Sequence, residues 1–69
     1  MYKLIELNNE NSIGNREIGK NGEFNYNGSV FSFNSIRSSS VKVIVKDDEY
    51  MVIITKNSTY KFKEVKNVQ

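Results

Sequence analysis

Apolar positions in this chain recur with period two between closely spaced turn residues, the pattern of short antiparallel β-strands. No window of about 11 residues or more sustains a helical stripe. Residues 1–7 read as a first strand, apolar on both faces and ended by Asn8-Asn9, and the polar stretch from Asn9 to Asn15 reads as a surface loop. Asn27-Gly28 predicts a two-residue type I′ hairpin turn, because both central positions of that turn need positive φ and Asn-Gly accepts this most readily. The turn pairs Tyr26 with Ser29 and Phe24 with Phe31. Phe24, Tyr26, Phe31 and Phe33 then share one face, the expected anchor of the core. A second Asn-Gly, at Asn21-Gly22, predicts a further turn that pairs Lys20 with Glu23 and makes Arg16-Glu17-Ile18-Gly19 a strand.

Asn34-Ser35-Ile36-Arg37 and Ser38-Ser39-Ser40 read as a connector, with a single helical turn or a bend, into a more strongly β-prone half. There Val41 to Lys46 alternates, and a turn at Asp47-Asp48 leads into a strand from Tyr50 to Thr55, so that Val41, Val43, Val45, Tyr50, Val52 and Ile54 share a face. The last turn sets a register. A two-residue turn at Asn57-Ser58 puts Lys61 and Lys63 on the Val52 face, whereas a three-residue Asn57-Ser58-Thr59 loop puts Tyr60 and Phe62 there. Burial of the aromatic pair favours the longer loop, with a final strand from Tyr60 to Val65 and a short frayed tail.

The fold class predicted is all-β: one domain over residues 1–69, with five or six short antiparallel strands in a small partly open barrel or sandwich, SH3-like or OB-like. The order of a hairpin, a short connector and a three-strand meander resembles that of the small archaeal chromatin proteins with SH3-like barrels, through Phe24, Tyr26, Gly28 and Ile36. That resemblance rests on residues common to many β proteins and carries no functional assignment.

Composition narrows the chemistry more than the fold. A chain of 69 residues has a small core, and with no Cys and no His it has neither disulfides nor the usual zinc ligands to reinforce it. The same absences argue against an enzyme: acid–base work would fall to carboxylates, Lys or Tyr, and a serine nucleophile has no histidine base. Asp47-Asp48-Glu49 reads as a solvated turn, since calcium loops need six or more oxygens from a longer, Gly-containing segment. The four glycines fall in turns and form no phosphate loop. No cofactor, metal or small-molecule substrate is expected. Met1 to Leu7 lacks the pattern of an export signal and no apolar run is long enough for a membrane span, so the expected location is cytoplasmic. The Asn-, Ser- and Lys-rich composition fits an AT-rich coding sequence such as that of a phage or mobile element.

Function is expected on the second face of the C-terminal meander. With Val41, Val43, Val45, Val52, Ile54, Tyr60 and Phe62 inward, the outward set is Lys42, Ile44, Lys46, Met51, Ile53, Thr55, Lys61 and Lys63. An apolar centre of Ile44, Met51 and Ile53 ringed by lysines predicts a non-enzymatic binding module. The expected partner is a protein or a second copy, met on this face or along an open strand edge. The alternative partner is nucleic acid, with the lysines on phosphates, although a formal net charge of +2 gives it little electrostatic drive. The structural alternative is that residues 1–7 or the Ile13/Ile18 region cover Ile44, Met51 and Ile53 and make them core.

Overall fold

The computed structural model describes residues 1–66. Residues 67–69, within the frayed tail expected after Val65, lie outside the described residues. The chain is all-β, with strands β1 (Tyr2–Leu7), β2 (Asn21–Gly22), β3 (Phe24–Tyr26), β4 (Phe31–Phe33), β5 (Ile36–Arg37), β6 (Val41–Lys46), β7 (Tyr50–Thr55) and β8 (Thr59–Glu64), plus a 3₁₀ turn at Ile13–Glu17. A five-stranded antiparallel sheet in the order β2-β1-β8-β7-β6 packs against a three-stranded one in the order β3-β4-β5. The strands exceed the expected five or six because β2 and β5 are two residues each, too short to leave an alternation in the sequence.

Aromatic burial joins the sheets. Phe31, Phe33, Phe62, Leu4 and Ile53 are fully buried, and Leu7, Ile36, Met51 and Tyr60 complete the core. The Phe62 ring lies 4.9 Å from that of Phe33 and 5.7 Å from those of Phe24 and Phe31, and the Phe31 and Tyr60 rings meet edge to face at 4.8 Å. Such edge contacts add stabilisation to the area that these rings remove from water.

The aromatic hairpin forms one residue later than Asn27-Gly28 predicts. Asn27 N–H donates to Val30 C=O, leaving Gly28-Ser29 as the loop; Gly28 has φ +94° and Ser29 has no positive φ, the type II′ pattern with glycine first. Asn27 works as the brace: its Oδ1 accepts from the N–H groups of Ser29 and Val30, both at 2.9 Å. Phe24 pairs with Phe33 and Tyr26 with Phe31, a shift of two from the expected pairing, so the four aromatic residues keep their common face.

Asn21-Gly22 is not a turn. It is β2, with Gly22 opposite Tyr2 and Asn21 opposite Lys3, and the expected strand at Arg16 to Gly19 is replaced by the end of the 3₁₀ turn and its exit. Ser12 caps that turn, its Oγ accepting from Gly14 N–H at 3.1 Å. A side chain at 22 would displace the Asn34 amide, which lies where its Cβ would stand and donates to Asn21 C=O, tying the β4–β5 turn to the larger sheet. Asn34 itself holds φ 52°, a left-handed value that Asn tolerates better than other side chains.

The serine run is a seam and not a free connector. Ser38 Oγ accepts from Phe31 N–H at 2.9 Å, Ser39 Oγ accepts from Asn57 N–H at 3.3 Å, and Ser40 C=O accepts from Lys56 N–H at 2.9 Å. The small sheet is thereby laced to the β7–β8 turn.

Candidate binding face

The β7–β8 turn decides which side of the sheet meets water. Thr55 N–H donates to Ser58 C=O at 2.8 Å, and Thr55 Oγ1 both donates to that carbonyl and accepts from Ser58 N–H, each at 3.0 Å. The loop is Lys56-Asn57. It pairs Met51 with Phe62, Val52 with Lys61 and Ile53 with Tyr60. The expected three-residue loop is therefore corrected: Tyr60 and Phe62 do face inward, but with Met51 and Ile53, while Lys61 and Lys63 share the side of Val52 and Tyr50. Val45 opposite Val52 and Val43 opposite Ile54 confirm the expected companions on β6 and β7. That face points out, not in.

The expected outward set is accordingly divided. Met51, Ile53 and Thr55 are buried, and Ile44 is half-buried against the same core, so the apolar centre expected for binding belongs to the interior. Its cover comes from Phe31, Phe33 and Ile36 of the small sheet together with Leu4 and Leu7 of β1, only the last two lying in the segment expected to do this. Lys42 sits exposed at an irregularity between Val41 and Val43 that turns Val41 toward the core. Lys46 is exposed at the far end of β6, its Nζ 5.7 Å from the centre of the Tyr2 ring, and the Tyr2 hydroxyl beside it raises its pKa. Neither belongs to the uncovered face. Lys61 and Lys63 do.

On the uncovered face the strands set side chains in rows. One row holds Lys3, Lys63 and Tyr50; the next holds Glu6, Lys61, Val52 and Val45; Thr59, Ile54 and Val43 follow. Val45 is 60% exposed, Val43 46% and Ile54 40%, which is unusual for β-branched residues aligned on adjacent strands. Lys61 Nζ lies 4.9 Å over the Tyr50 ring, covering it with a charge that keeps its contact with water. A depression of about 350 Å³, bordered by Glu6, Leu7, Asn8, Val52, Thr59 and Lys61, lies where the apolar half meets the basic half. Lys3 stands directly opposite Lys63, and no lysine of this face forms a salt bridge among the described residues. Like charges in that position repel.

The hairpin that presents Val43 and Val45 is stiffened at its tip. Asp47 accepts from the N–H groups of Tyr50 and Glu49, both at 2.8 Å, and these bonds to the ionised carboxylate hold its pKa below the ordinary value. Asp47 N–H closes the turn on Tyr50 C=O, which makes Asp48-Glu49 the loop. The acidic triplet is thus a hairpin device. Among the described residues no group of three or more His, Cys, Asp or Glu side chains is placed to hold a metal ion, and no helix is long and apolar enough to cross a membrane.

Comparison with protein-family models, with curated proteins and with solved structures yields no match.

Proposed function

We propose that this domain is a non-catalytic protein-recognition module that docks the outer face of its five-stranded sheet on a partner whose apolar patch is bordered by carboxylates. The observation that carries this is the half-apolar, half-basic division of one uncovered face: Val43, Val45, Val52 and Ile54 beside Lys3, Lys61 and Lys63. Burying the apolar half releases water from side chains that nothing else among the described residues covers. Acidic groups on the partner relieve the Lys3–Lys63 repulsion, so charge selects the partner and speeds encounter. A second copy is a poorer occupant, because it brings the same lysines and only Glu6 as an opposite charge within these rows. Nucleic acid is less well served, since Tyr50 is the one aromatic side chain in these rows and already lies under Lys61.

The test is selection against a displayed library of random peptides, followed by affinity measurement on the enriched sequences. Enrichment of Asp or Glu next to apolar residues is expected, with affinity lost at least tenfold in a Val45→Asp, Ile54→Asp double variant. Binders indifferent to that double change overturn the proposal. So does a different outcome: tight binding to DNA or RNA that falls steeply with salt and is lost in Lys61→Gln, Lys63→Gln.

A further inference from the structure

The opposite side of the sandwich carries a second feature, independent of the sheet face described above. On the small sheet, Asn25 pairs with Ser32 and Ser32 with Arg37. Phe31, Phe33 and Ile36 point into the core, so the side chains of Asn25, Ser32 and Arg37 all leave by the other face, as one row across three strands. The row opens into a cleft of about 300 Å³ whose border also includes Tyr26, Asn27 and Val30.

The chemistry of this cleft is one-sided. It has no carboxylate on its border, and Arg37 forms no salt bridge among the described residues. Neighbouring polar groups are used internally: Asn27 Oδ1 braces the hairpin turn and Ser38 Oγ holds Phe31 N–H. The side chains of Asn25, Ser32 and Arg37 make no hydrogen bonds among the described residues, so an amide N–H₂, a hydroxyl and a guanidinium are left as free donors. Directly opposed positions on neighbouring strands hold their Cβ atoms about 5 Å apart, close enough for adjacent donors to share one oxyanion. A guanidinium offers two parallel N–H groups to two oxygens, the geometry of a carboxylate or a phosphate. Beside it, Val30 stands two residues before Ser32 and leaves by the same face, a half-buried apolar wall on the cleft's border, whereas Tyr26 shares the core side with Phe31 and Phe33.

We infer that the Asn25–Ser32–Arg37 row is a binding site for an oxyanion, carboxylate or phosphate, attached to an apolar group that lies against Val30. The guanidinium and hydroxyl take the anion, the Asn25 amide takes a neighbouring oxygen, and the Val30 side chain excludes water from one side of the contact.

The experiment is an amide-resolved NMR titration of the whole chain with four probes: inorganic phosphate, phenyl phosphate, acetate and benzoate. The expected result is saturable shifts centred on Asn25, Ser32 and Arg37, with each aromatic probe binding at least threefold tighter than its simple counterpart. The ratio of phenyl phosphate to benzoate affinity tells which oxyanion the site prefers. Arg37→Gln, at an exposed position, should weaken both aromatic probes about tenfold or more, as loss of a charge-assisted pair of hydrogen bonds does, and Val30→Ser should erase the advantage of the aromatic probes. Shifts that stay linear in probe concentration, saturable shifts centred on Lys3, Lys61 and Lys63, or an Arg37→Gln variant that binds as the parent does would each overturn the inference.

Discussion

Phe62→Ala is expected to leave the domain largely unfolded at room temperature. Phe62 is fully buried and its ring is the common neighbour of Tyr2, Phe24, Phe31, Phe33 and Tyr60, at centre-to-centre distances from 4.9 to 6.4 Å. Removing such a ring costs about 3–5 kcal/mol, from lost transfer energy and from the cavity left behind. A single core in a chain of this length supplies about the same amount, with no cysteine from which a disulfide could add to it. Both sheets meet on this side chain, so no part of the sandwich remains to hold the rest. Phe62→Leu keeps much of the volume and should stay folded with a lowered melting temperature. Circular dichroism melts of the two variants beside the parent check this, and a Phe62→Ala midpoint within a few degrees of the parent contradicts it.

Aspartate placed on the inward residues of β7 and on an outward residue of its neighbour β6 should give opposite results. Ile53→Asp puts a carboxylate at a fully buried position between Tyr60 and Ile44, inside the apolar core, and the expected loss exceeds about 4 kcal/mol. Met51→Asp, at 3% exposure, should behave the same way. Val45→Asp meets water, and its melting temperature should stay close to the parent's. Proton NMR dispersion separates the two classes in one afternoon of spectra: collapsed for Ile53→Asp and Met51→Asp, native for Val45→Asp. If Val45→Asp collapses and Ile53→Asp does not, the sheet is inside out relative to the structure.

That contrast also marks where the sequence is legible. Period-two alternation and turn residues are enough to read an all-β chain, the aromatic hairpin and the companionship of Val43, Val45, Val52 and Ile54. The aromatic pairing survives a turn displaced by one residue because the displacement changes the register by two, which keeps every side chain on its face. The direction of the larger sheet does not survive. On β7, Met51 and Ile53 are no more apolar than Val52 and Ile54, so alternation carries no inside or outside. On β6 the lysines alternate with valines and imply that the valines are buried. In the fold β6 is an edge strand, where lysines are a common guard against unwanted pairing, and Lys42 and Lys46 reach water from the inner side of the edge.

The unambiguous strand is β8, where Tyr60 and Phe62 alternate with Lys61 and Lys63. The direction is lost at the loop, because presuming the β6 valines buried selects the three-residue alternative, whereas the two-residue closure between Thr55 and Ser58 keeps Lys61 and Lys63 on the Val52 side, as a two-residue Asn57-Ser58 turn also would. The pattern therefore points to the side of these strands that the small sheet covers. Two lysines of the expected face, Lys61 and Lys63, carry over because they lie on the strand whose pattern has a direction. The Asn25–Ser32–Arg37 row was invisible for a different reason: β5 is two residues long, and without it Arg37 has no neighbour in the sequence pattern.

The central claim is that the Val43, Val45 and Ile54 side chains stand uncovered while Leu4 and Ile53 are sealed between the sheets. Methyl NMR of the free chain with a soluble paramagnetic probe measures this directly. Strong relaxation of the Val43, Val45 and Ile54 methyls is predicted, with those of Leu4 and Ile53 protected; relaxation of Leu4 and Ile53 with protection of the valines and Ile54 would contradict it.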